Sequence, residues 1–130
     1  MSNWTHVAGV IRADGINDEK IMQPDFDEII GKKVHYHDSE EIKHDAYKNP
    51  EKYLPFGSEG SLYKTVWVNP DTSCADTYTI TIFGDLRNHH SPDEIIDWFK
   101  KKCEELYVRN AVVVAENEWN GTKIWTWKNG

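Results

Sequence analysis

Residues 77 to 83 read TYTITIF, and this strict alternation constrains the chain more than any other stretch. A period of two turns successive side chains to opposite sides of an extended backbone. Tyr78, Ile80 and Ile82 therefore share one face, and Thr77, Thr79, Thr81 and Phe83 the other. Residues 62 to 68, LYKTVWV, alternate in the same way: Leu62, Lys64, Val66 and Val68 against Tyr63, Thr65 and Trp67. The turn-rich NPDTSCAD between the two runs predicts an antiparallel hairpin. Its apolar face needs a cover, and the chain supplies one next. Ser91, Pro92 and Glu94 suit the N-cap, N1 and N3 positions of a helix running to about Tyr107. Ile95, Phe99, Cys103 and Leu106 lie along one stripe of that helix and are expected to face the sheet.

The remaining segments extend this pattern. WTHVAGVIRAD (4 to 14) reads as a strand closed by the Asp14-Gly15 turn signal, and PDFDEIIGKK (24 to 33) as a short helix begun by Pro24. Residues 34 to 55 carry a D-x-x-E cap at Asp38 and Glu41 but are interrupted by Pro50 and Pro55, which suggests a surface excursion with some helix. Asn120-Gly121 between two strand patterns predicts a tight type I′ hairpin. That register pairs Glu118 with Lys123, Glu116 with Trp125 and Val114 with Trp127, placing both tryptophans on a partly exposed face. The element order predicts an α+β fold, a ferredoxin-like βαββαβ two-layer sandwich with an extra C-terminal hairpin strand. At 130 residues the chain has the length of one domain, 1 to 130, able to bury about two-thirds of its unfolded surface.

Charge narrows the functional classes. Fifteen Lys and Arg against 22 Asp and Glu give a net charge of -7, which opposes general binding to nucleic-acid backbones but not capture of a small anion by local cations. No apolar run has the length of a membrane span and no secretory leader pattern opens the sequence, so a cytoplasmic protein with reduced thiols is expected. The histidines of HYHD (35 to 38), His44, His89 and His90 lack the spacing of zinc motifs, and no cofactor or metal is expected. Cys103 falls on the apolar stripe, Cys74 has no cue for a lowered pKa, and no carboxylate pair stands out, so the sequence supports binding more than catalysis.

Candidate binding residues follow from three features. In FGSEGSL (56 to 62), Gly57 and Gly60 permit turns that aim backbone N–H groups, and Ser58 and Ser61 add hydroxyls; the stretch is either a hinge into a strand or a contact loop. The scarce arginines, Arg12, Arg87 and Arg109 against twelve lysines, suit bidentate recognition of phosphate or pairing with Asp14 or Asp85. Tyr63, Trp67 and Phe83 belong to the sheet face that helices leave open, which points to a stacked ligand or a homo-oligomer.

The blocks NWTHVAGVIRAD, GSEGSL, GDLRN with IIDWF, and VRNAVV together resemble a group of small uncharacterised proteins of phages and prophages of Gram-positive bacteria. The resemblance implies a host bacterial cytoplasm and a part in countering host defence. The expected partner is then a small nucleotide-like signal, held without catalysis. The alternatives are a host defence protein blocked by an acidic, nucleic-acid-like surface, and an enzyme that degrades such a signal.

Overall fold

The computed structural model describes residues 2–14, 25–34, 38–69, 77–89 and 91–128. Five strands, β1 (Trp4–Asp14), β2 (Tyr63–Val68), β3 (Thr77–Arg87), β4 (Tyr107–Asn117) and β5 (Gly121–Thr126), form one sheet in the order β2-β3-β1-β4-β5. Every neighbouring pair is antiparallel. Helices α1 (Phe26–Ile29), α2 (Glu40–Lys48) and α3 (Pro92–Glu104) complete an α+β architecture. None of the described helices is long and apolar enough to cross a membrane.

The alternating pattern lies where the sequence puts it. Tyr78, Ile80 and Ile82 are buried in one core with Val7, Ile11, Val113, Ala115 and Phe99 of α3, and Phe26 of α1 meets Tyr78 edge-on at 5.1 Å. Ser91 caps α3 by accepting from the Glu94 N–H, and the stripe residues Ile95, Phe99 and Cys103 are buried, with Leu106 packed at the margin. Burial of the fully enclosed Phe99 contributes about 1.5–3 kcal/mol. α3 ends at Glu104 rather than near Tyr107, because Tyr107 already pairs with Asp14 as the first residue of β4. β3 continues past Phe83 to Arg87, since its whole length pairs with β1.

Three expectations are corrected. The helix expected over 24 to 33 is four residues long: Asp25 caps it, and by Lys32 the chain has turned to bridge Tyr53, with the Leu54 N–H donating to the Lys32 carbonyl. Within the 34 to 55 excursion the cap of α2 is Ser39, whose hydroxyl accepts from the Ile42 N–H, instead of the Asp38/Glu41 pair. The excursion also feeds the core, where Ala46 and Leu54 are buried.

The third correction matters most. The final hairpin turns through a three-residue loop, Glu118 to Asn120, with Gly121 at φ +90°, instead of a type I′ turn at Asn120-Gly121. The Asn117 carboxamide sets this loop by accepting from the Trp119 and Asn120 N–H groups at 2.9 and 2.8 Å. The register therefore pairs Val113 with Trp125, and an odd shift sends side chains to the other face. Trp125 and Trp127 lie on the helix side, Trp125 edge-on to Phe99 at 5.9 Å and to Trp127 at 6.2 Å.

Candidate functional site

The residues 56 to 61 fold into a tight turn held by a bridge between Phe56 and Ser61 and by the Gly57 N–H donating to the Gly60 carbonyl at 2.9 Å. This turn lies flat against the end of β3. Ser58 donates its N–H to the Arg87 carbonyl at 2.9 Å, and Arg87 donates its N–H to the Glu59 carbonyl at 3.0 Å. The backbones meet so closely that a Cβ on Gly57 would collide with the Arg87 carbonyl, and one on Gly60 with that of Asp85. The Arg87 guanidinium binds the Glu59 carboxylate at 2.8 Å. Ser61 is 3% exposed; its hydroxyl accepts from the Val34 N–H and donates to the Leu62 carbonyl. Gly57, Ser58, Gly60, Ser61 and Arg87 thus act together to fasten the excursion to the sheet. A small cavity of about 170 Å³ lies on the outer side of the turn, between it and Tyr47 of α2.

Elsewhere the sheet face opposite the helices is uncovered by any described element, and the antiparallel register arranges its side chains in rows across the strands. The middle row runs Tyr63, Phe83, Ala8, Val114, Ile124 from one edge to the other. Beside it runs Thr65, Thr81, Val10, Val112, Thr126, with the two threonine hydroxyls hydrogen-bonded to each other. Tyr63, Phe83 and Trp67 all stand on this face as expected, 44%, 43% and 55% exposed. The Tyr63 and Phe83 rings are nearly parallel with centroids 5.6 Å apart, and the Lys33 ammonium sits 3.5 Å from the Tyr63 centroid.

The two ends of the face differ in charge. One end carries the row Trp67, Thr79, Arg12, Asn110. A bulge between Arg12 and Ala13 leaves Arg109 as the extra residue of β4, and its Nε donates to the Asp14 carboxylate at 2.7 Å. Arg12 is exposed and makes no ion pair among the described residues. The other end carries Asp85, His6 and Glu116, with Glu118 just beyond. His6 is held between two carboxylates, its Nδ1 2.6 Å from Asp85 and its Nε2 3.2 Å from Glu118. The hydrogen bond to Asp85, then that to Glu118, raises the imidazole above its ordinary pKa.

The sequence singled out three arginines, and the fold brings two of them together. Arg12 and Arg109 flank Asp14, whereas Arg87 pairs with the Trp4 end of β1, about 26 Å along the strand from Arg12. The acidic cluster around His6 escaped attention because its members come from positions 6, 85, 116 and 118. The available signal was the alternation of β1, which puts His6 on the same face as Arg12.

Cys103 is fully buried and its thiol is pushed up to about 12 by desolvation, so it is not an available nucleophile; Cys74 lies outside the described residues. His35, His37 and His90 also lie outside them. No group of three or more His, Cys, Asp or Glu side chains among the described residues is placed to hold a metal ion. Comparisons with protein-family models, with curated proteins and with solved structures find no match.

Proposed function

We propose that the chain is a non-catalytic binding protein that captures a small anionic, base-bearing ligand on the open sheet face, at its arginine end. The observation that carries this reading is the row Trp67, Thr79, Arg12, Asn110. It combines an exposed indole for stacking, a hydroxyl, a guanidinium with no ion pair among the described residues, and a carboxamide. The indole and guanidinium are two strand spacings apart, about 10 Å, which suits a ligand with a ring at one end and a phosphate at the other. Arg109 stands beside them, held by Asp14 in an orientation that leaves its side chain exposed.

The same reading takes the strands β4-β1-β3-β2 as a ferredoxin-like split βαβ arrangement with β5 added at the β4 edge. The antiparallel pairing of β1 with both β3 and β4 supports it. The resemblance to phage proteins supplies the setting: a nucleotide-like signal of host defence, withdrawn in the bacterial cytoplasm without being broken down. A second reading, direct blockade of a host defence protein, is favoured by the acidic end formed by Asp85, Glu116 and Glu118.

To test the first reading, the protein is incubated with nucleotide extracts of infected cells, re-purified and denatured, and the released molecules are identified by mass spectrometry. Intact nucleotide released from wild type but not from Arg12→Ala or Trp67→Ala supports it. Absence of any bound or stabilising nucleotide sinks it, and release of altered products would make the protein an enzyme. Capture of a host protein through the acidic end, lost in Glu116→Lys, would favour the second reading.

A further inference from the structure

The open face has a second property, which draws on Trp67 and Arg12 as ligand capture does and extends across the rest of the sheet. Tyr63, Trp67, Phe83, Val112 and Ile124, each at least 40% exposed, all stand on it, and two apolar or hydroxyl-bearing rows cross its full width. Large contiguous apolar surface of this kind marks an interface. On either side of these rows the charges are of opposite sign: Asp85, Glu116 and Glu118 around His6 at one end, Arg12 and Arg109 beside Asp14 at the other.

We propose that a second copy of this chain packs on the open face, its strands reversed relative to the first, so that the Arg12 end of each copy lies over the Asp85, Glu116 and Glu118 end of the other. The face is self-complementary only in that orientation. Two identical surfaces that meet face to face are related by a two-fold axis lying between them. If the axis ran along the strands, the carboxylates of one copy would meet those of the other, and Arg12 would meet Arg12. With the axis across the strands, between the rows of Ala8 and Val10, the apolar rows meet in the middle and each basic end meets an acidic one.

The face is of the size of a small interface. The rows from His6 to Arg12 span about 20 Å along the strands and the five strands about 19 Å across. That flat footprint is about 380 Å², roughly half of the ~800 Å² of accessible surface per partner in a standard interface, and the relief of the projecting side chains adds to it. Two twisted sheets pack this way with strands about 30° from alignment and side chains interleaved. The small Ala8 at the centre of the middle row leaves room for the Tyr63 and Phe83 rings on its β3 side and Val114 on its β4 side.

Sedimentation of the purified full-length chain, stripped of small molecules, tests the proposal. Wild type is expected to be a dimer whose dissociation constant rises about tenfold or more when salt is increased from about 0.1 to 0.5 M. Arg12→Glu alone, and Asp85→Lys with Glu116→Lys in a second variant, should each be monomeric at concentrations where wild type is dimeric, with unchanged circular dichroism. Mixed in equal amounts, the two variants should form a heterodimer, because both of its ends are again of opposite charge. Ala8→Glu gives an independent probe of the centre and should also abolish the dimer. A wild type that stays monomeric, a dimer indifferent to Arg12→Glu and Ala8→Glu, or folded charge variants that do not associate on mixing would overturn the proposal. No ligand is present in this experiment, so its outcomes are read apart from ligand capture; a ligand at Arg12 and Trp67 and a second copy compete for the same face.

Discussion

The turn at 56 to 61 and the arginine end of the open face both combine an arginine with hydrogen-bonding groups, yet they use them in opposite ways. In the turn, Gly57 spends its N–H on the Gly60 carbonyl, Ser58 and Glu59 bond the Arg87 backbone, and the Arg87 guanidinium is taken by the Glu59 carboxylate. At the far end of the sheet, Arg12 and Trp67 are exposed and lie in a row with Thr79 and Asn110. Residue type alone does not separate the two regions. Availability does, and it depends on which backbone lies against which.

The sharpest way to break this comparison is Gly60→Ala. Gly60 has φ +82° and a Cβ there would strike the Asp85 carbonyl, so a loss of about 2–4 kcal/mol is expected, visible as a melting point lowered by roughly 10 °C. If the variant melts like wild type but no longer captures ligand, the turn is a contact loop and the comparison reverses. Ser61→Ala leaves the buried Val34 N–H without its hydroxyl acceptor and should cost about 1–3 kcal/mol in urea unfolding, with ligand capture unchanged once the protein is folded. Arg12→Ala is expected to do the converse. It should shift stability by no more than about 0.5 kcal/mol while weakening nucleotide binding about tenfold or more in calorimetry. An Arg12 variant that unfolds would place that residue among the structural ones.

The smallest effect concerns His6. Its folded-state pKa is raised by Asp85 and Glu118, so its contribution to stability is complete below the ordinary imidazole value of 6.5 and disappears as pH rises through the raised value. Melting points measured between about pH 5.5 and 8.5 should decline slightly with rising pH in wild type. In His6→Asn that slope should flatten. An identical slope in both proteins would show that the pair of carboxylates gains nothing from the imidazole in this range.

What could be read from the sequence was what local pattern decides. TYTITIF and the SPDE start of α3 carry cap, period and burial within a few residues, and the structure follows them. The open-face placement of Tyr63, Trp67 and Phe83 followed from the same alternation. The hairpin before β5 was misread because Asn120-Gly121 is a strong turn signal, while the residue that governs the loop is Asn117, acting through its side chain. The three-residue register error then carried Trp125 and Trp127 to the wrong face. The brevity of α1 and the structural use of FGSEGSL depend on Tyr53, Leu54 and the end of β3, partners that are distant in sequence. The row of Trp67 and Arg12 needed the order of three strands, which no single segment contains.

The central position of β1 also has a consequence in time. It is flanked by β3 on one side and β4 on the other, and both follow it in the sequence, β3 only after Asn69 and β4 only after α3. During synthesis at about 5–20 residues per second, the strand that becomes the middle of the sheet waits several seconds for its first partner and longer for its second. For that interval Val7, Ile11 and Ala13 have no sheet to enter. Folding of this chain is therefore expected to be concerted and late, with β1 bare on the ribosome until β3 has been made.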